Sequence, residues 1–162
     1  MGLKTKLFLN KEGGDMDAQM TPEAFCWLYA AGCVEWLYQT GKIDEKEYLY
    51  LRKFMDGNVT PPKDKIRKYF PKPFKFASTL KEMISYWRKK HLYKEGEITP
   101  VMLAEVREYE VIKGGKKFVR VKVFLGKNDF KIHSVENVHQ YDIRPGSNVL
   151  IHGNIIAELA SR

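Results

Sequence analysis

The chain has 162 residues, 44% of them hydrophobic and 30% charged, with a formal net charge of +8 at pH 7. This balance excludes a disordered chain, and folding at this length buries roughly 68–70% of the unfolded surface, enough for a core without metal or disulfide staples. The two cysteines, Cys26 and Cys33, stand seven positions apart on an expected helix. That is about 10 Å between Cα atoms, beyond disulfide reach.

Such cysteine usage fits a reducing compartment. Lys4, Lys6, Lys11, Glu12, Asp15 and Asp17 interrupt any apolar run near the start, so no signal peptide is expected. The longest apolar stretch, residues 24–34, is shorter than the roughly 20 residues that cross a bilayer. The expectation is a soluble, cytoplasmic protein with no membrane partner.

Residues 1–20 read as a short arm, with Leu3, Leu7 and Leu9 on a brief strand broken at Gly13-Gly14. A helix follows. Thr21 is its N-cap, Pro22 suits the first position, Glu23 complements the dipole, and Gly41 lies just past the expected end at Gln39. Between Ala24 and Tyr38 the only charge is Glu35, which predicts burial on nearly every face. Its rings Trp27, Tyr29, Trp36 and Tyr38 suit either a core helix or an interface with a second copy or another protein. Asp44 and Glu47 have capping-box spacing for a second helix ending at Gly57, and the pair forms an αα-hairpin.

Residues 58–94 change character. They hold 11 Lys/Arg against 2 Asp/Glu, so nearly all of the excess charge sits here. Pro61, Pro62, Pro71 and Pro73 favour an extended, semi-rigid backbone. A third helix is expected from the N-cap Ser78, with Arg88, Lys89 and Lys90 at its C-terminal end, where cations are favoured.

From about residue 101 the period becomes two. Gly114-Gly115 reads as a hairpin turn, and Val119, Val121, Val123 and Leu125 alternate with Phe118, Arg120, Lys122 and Phe124. Further strands are expected at residues 130–135, 149–151 and 155–159. Thr99-Pro100 is also compatible with a helix start, but the Gly-Gly turn that follows favours a strand. The fold class is therefore α+β: an N-terminal arm and helical hairpin (1–57), a basic Pro/aromatic connector with a third helix (58–97), and a small five-stranded antiparallel β-barrel (98–162).

Ala104-Glu105-Val106, the Gly114-Gly115-Lys116 turn, residues 118–125 and residues 143–153 give a meander, a connector and a final hairpin. This order is similar to that of an OB-fold; an SH3-like barrel has a similar pattern. The resemblance covers about 60 residues of the C-terminal part and implies binding of single-stranded nucleic acid.

Two candidate surfaces follow. With the valines inward, Phe118, Arg120, Lys122, Phe124, Lys131 and His133 are expected on one outward face, where cations follow phosphates and rings stack on bases. The connector offers Lys63, Lys65, Arg67, Lys68, Tyr69, Lys72, Lys75, Arg88, Lys89 and Lys90 for a phosphate backbone. The ordinary alternatives are a solvated strand face and aromatics that pin a linker to the core.

His91, His133, His139 and His152 have no metal-ligand spacing, and no Cys-x-x-Cys occurs. Cys26 and Cys33 are read as core residues. A carboxylate cluster of Glu105, Glu108 and Glu110 is disfavoured, because a strand turns Glu105 away from the other two. No phosphate loop, nucleophile elbow or Rossmann fingerprint is present. The expectation is thus no metal, no cofactor and no catalysis: a binder of single-stranded DNA or RNA with low sequence specificity, acting within a larger assembly. The alternative is a structural protein, of a phage or virus for instance, whose barrel and apolar helix bind other protein chains.

Overall fold

The computed structural model describes residues 20–94, 100–109 and 118–160. Helix α1 (Pro22–Ala30) begins where Thr21 caps it, its Oγ1 accepting from the Ala24 N–H at 3.0 Å. The expected single helix is broken by a 3₁₀ turn (Ala31–Cys33) before it continues as α2 (Val34–Gln39). Helix α3 (Glu45–Asp56) carries the expected capping box between Asp44 and Glu47.

The proline-rich connector is helical where an extended chain was expected. Helix α4 (Lys63–Tyr69) follows Pro62 as N-cap, and α5 (Pro71–Phe76) holds Pro71 and Pro73 in its first turn. There the missing N–H groups cost no intrahelical bond, so the prolines start helices instead of preventing them. Helix α6 (Leu80–Ser85) is capped by Thr79, one residue later than expected, with Glu82 completing the box. It runs into a π-helical turn (Tyr86–Lys90).

Residues 102–109 form a strand. Strands β1 (Met102–Tyr109), β2 (Phe118–Gly126), β3 (Asp129–Glu136), β4 (Asn148–His152) and β5 (Ile155–Leu159) close a barrel in the order β1-β2-β3-β5-β4. All pairings are antiparallel except β3 with β5, which is parallel at Glu136–Ile155. The connector between β3 and β4 contains no helix. The N-terminal arm before Met20 and the Gly114-Gly115 turn lie outside the described residues.

Two cores meet at β4 and β5. Val149, Ile151 and Ile156 face into the barrel with Ala104, Val106, Val121 and Val135. On the other side Leu150, Ile155 and Ala157 pack with Phe25, Trp27, Tyr29 and Trp87 of the helices. Strand β5 is therefore buried on both faces and reads as a continuous apolar run, whereas β2 alternates.

The two halves touch most closely at a pair of glycines. A Cβ on Gly32 would lie 2.1 Å from the His152 carbonyl oxygen, and one on Gly153 2.2 Å from the Gly32 oxygen. Gly153 also has φ +61°. By contrast Gly41, at φ +76°, has open space around its Cα. Gly32→Ala is expected to cost about 2–3 kcal/mol through overpacking against backbone, and Gly41→Ala about 1 kcal/mol from backbone strain alone. Urea unfolding monitored by tryptophan fluorescence checks the order.

Candidate functional site

The β2–β3 register pairs Phe118 with Glu136, Arg120 with Ser134, Lys122 with Ile132 and Phe124 with Phe130. Directly paired residues point to the same face. Phe118, Arg120, Lys122 and Phe124 therefore do share the outward face. Lys131 and His133 do not: they pair with Val123 and Val121, on the valine side. The reason is one of register, since a shift between Phe124 and Gly126 aligns even positions of β2 with even positions of β3 from Phe124 back to Phe118. His133 Nε2 instead lies 3.1 Å from Oδ1 of Asn154.

In their place stand Phe130 and Ile132, which are 51% and 44% exposed. Leu103 of β1 is a third exposed apolar side chain. The Lys122 ammonium lies 4.3 Å from the Phe130 ring centre and 5.7 Å from that of Phe124. None of these rings belongs to either buried core. Two acids temper the charge: Glu105 is the cross-strand neighbour of Lys122, and Glu108 sits 3.7 Å from the Arg120 guanidinium.

In the connector, Lys63, Lys68, Lys72, Lys75, Lys89 and Lys90 are exposed and Lys65 is half-buried. Its two arginines have structural partners instead. Arg67 donates to the buried Glu23 at 2.7 Å and lies over the Phe74 ring. Arg88 grips the buried Glu158 of β5 through Nε, at 2.8 Å, and a terminal nitrogen. Tyr69 is half-buried, with the Lys68 ammonium 5.2 Å from its ring. Of the four rings considered for a partner interface, Trp27 and Tyr29 are core. Tyr29 stacks on Trp87 and donates to Glu158. Trp36 and Tyr38 remain exposed, Tyr38 stacked on Tyr48.

A pair that spacing alone does not reveal sits beside the two glycines. Cys33 Sγ lies 3.2 Å from His152 Nε2. Both line a cavity of about 540 Å³ walled by Trp36, Tyr69, Tyr86 and Trp87. Cys33 is half-buried and packs against the helical core, whereas Cys26 is fully buried within it. Burial pushes the Cys33 thiol up to about 11 and the His152 imidazole down to about 4. Burial thus favours the uncharged form of each, and Sγ and Nε2 lie within hydrogen-bond distance of one another. The one sequence signal for this site is a glycine directly next to each residue, Gly32-Cys33 and His152-Gly153, which marks close backbone approach.

No protein-family model matches the chain, and no curated protein or solved structure matches it significantly. Among the described residues, no group of three or more His, Cys, Asp or Glu is placed to hold a metal ion, and no helix is long and apolar enough to cross a membrane.

Buried His152 and half-buried His139 set a pH dependence. His139, whose Nε2 donates to the Leu28 carbonyl at 2.9 Å, is held at about 4 by burial, as is His152. Their ordinary value is 6.5, so between the two values the unfolded chain binds more protons than the folded one. Stability is expected to be full above pH 6.5, to fall as the pH drops from 6.5 to about 4, and to level off below. Urea midpoints measured across this range check it, and His139→Phe should flatten the slope.

Proposed function

We propose that this protein binds single-stranded nucleic acid, with low sequence specificity, across the outward face of β1–β3. The observation that carries this reading is Lys122 set between the Phe124 and Phe130 rings, with Phe118 and Arg120 further along the same strand. Rings offer stacking platforms to bases of any sequence, and ammonium groups beside them meet the phosphates. The strand order supports it. Closure through an antiparallel β1–β4 pair and a parallel β3–β5 pair is the arrangement of OB-folds, whose β2–β3 face is used for oligonucleotides. The exposed lysines of α4 and α5 add a second basic stretch for the backbone.

One observation favours a protein partner instead. Leu103 and Ile132 are exposed aliphatic side chains on the same face, and aliphatic groups suit protein contact better than base stacking. The assembly reading therefore predicts a complex or oligomer that buries this face.

Fluorescence anisotropy with labelled single-stranded and duplex oligonucleotides at two salt concentrations separates the readings. Single strands should bind more tightly than duplex, and affinity should fall steeply with salt. Phe130→Ala should cost about 1–3 kcal/mol of binding. Lys122→Ala should weaken binding and reduce the log–log salt slope by about 0.7. Absence of binding at low salt, together with oligomers in light scattering that Ile132→Lys dissociates, overturns the nucleic-acid reading in favour of assembly.

A further inference from the structure

The Cys33–His152 pair has the parts of an activated thiol. A nucleophile needs a base within hydrogen-bond reach, and here Sγ and Nε2 are 3.2 Å apart. It needs access for a reactant, and half-buried Cys33 opens onto the 540 Å³ cavity, a volume suited to a small organic molecule. The pair is also fixed from both sides. Gly32 and Gly153 allow the backbones to meet, the Trp87 ring packs edge-on against His152 with centres 5.2 Å apart, and His152 is only 5% exposed. Its buried Nδ1 has no hydrogen-bond partner among the described residues. Cys26, by contrast, is sealed in the helical core.

We propose that Cys33 is an acyl-accepting nucleophile with His152 as its base, and that the cavity takes a small ester or thioester carrying a flat apolar group. Sγ attacks the carbonyl carbon while Nε2 takes the thiol proton. The bond from that carbon to the leaving oxygen or sulfur breaks, the imidazolium returns the proton to the leaving atom, and a thioester remains on Cys33. No oxidant or further reactant is required. Acyl chemistry fits this pair better than alkylation because one imidazole both removes the thiol proton and supplies it to the departing group. The aromatic walls select a flat group. The other titratable groups around the pair are His91, Tyr86, Tyr69, Glu35 and Lys72 of the cavity lining and Cys26 behind it. His91 Nδ1 is engaged by the Tyr86 carbonyl, and Glu35 by the Tyr48 hydroxyl.

The test is p-nitrophenyl acetate added to the intact protein, followed by the release of nitrophenolate and by peptide mass mapping of the acetyl group. The expected result is a burst of about one equivalent with the acetyl on Cys33 and none on Cys26. Cys33→Ser should abolish the burst and leave oligonucleotide affinity unchanged, which separates this site from the barrel face. His152→Gln should slow acylation of Cys33 by about a hundredfold at neutral pH. The pH profile distinguishes a base from a packing residue. With His152 in place the rate rises through about pH 4 and is then level. Without it the rate climbs about tenfold per pH unit toward the thiol's own value near 11. Acetyl found only on lysines overturns the proposal. So does a His152→Gln protein, shown by near-ultraviolet circular dichroism to be folded, that acylates Cys33 at the unaltered rate and with the unaltered profile.

Discussion

The contact of Gly32 with Gly153 is the constraint on which the remaining architecture turns. It brings the break between α1 and α2 onto the β4–β5 turn at a backbone separation that no side chain tolerates. Around it lie the Trp87–His152 ring contact, the Tyr29–Glu158–Arg88 network, and Ile155 and Ala157 seated in the helical core. Because β4 and β5 contribute to both cores, loosening this contact weakens the helices and the barrel together. The single helix that the apolar run implies is interrupted for the same reason, since a continuous α-helix would place a different turn of backbone at Gly153.

Two arginines tie the helices to the barrel. Glu158 is 1% exposed, and an unpaired carboxylate there would be prohibitively costly. Arg88 meets it with two nitrogens and Tyr29 with its hydroxyl. Burial first, then the Glu158 charge, push the Tyr29 phenol well above its ordinary range, so it remains a donor. Arg52 of α3 joins Glu136 of β3, whose N–H donates to the Asn154 carbonyl beside Gly153, with Asp56 and Glu35 nearby. A planar guanidinium is suited to such multidentate roles, which an ammonium fills less well. These pairs also explain why the local charge of the connector overstates its free charge: Arg67 and Arg88 are matched by acids far away in the chain.

The sequence made legible what depends on local rules. Thr21, Asp44 and the valine alternation of β2 announced their elements because caps and periods act within a few residues. The prolines misled where composition outweighed position, since Pro62, Pro71 and Pro73 each occupy a helix start. Lys131 and His133 were misplaced because the facing of one strand follows from a turn in the other. The Cys33–His152 pair was not legible at all. Its members are separated by 119 positions, and only tertiary packing joins them. The adjacent glycines hinted at close approach without saying to what.

The barrel divides its labour unevenly, and the division decides where binding is possible. Strands β4 and β5 are covered on both faces, so any change there reaches a core. The outward side of β1–β3 holds Phe124, Phe130, Ile132 and Leu103 yet contributes to neither core. Folding gains little from these apolar groups where they stand, and exposed strand aromatics invite aggregation. Lys122 offsets that hazard, because its ammonium shields the ring faces and keeps the patch hydrated. On the proposed function such shielding is reversible: a base would take the place of the ammonium, which would then turn to a phosphate alongside. On that proposal the same residue serves both the free face and the bound one, and neither task draws on the interactions that hold the fold.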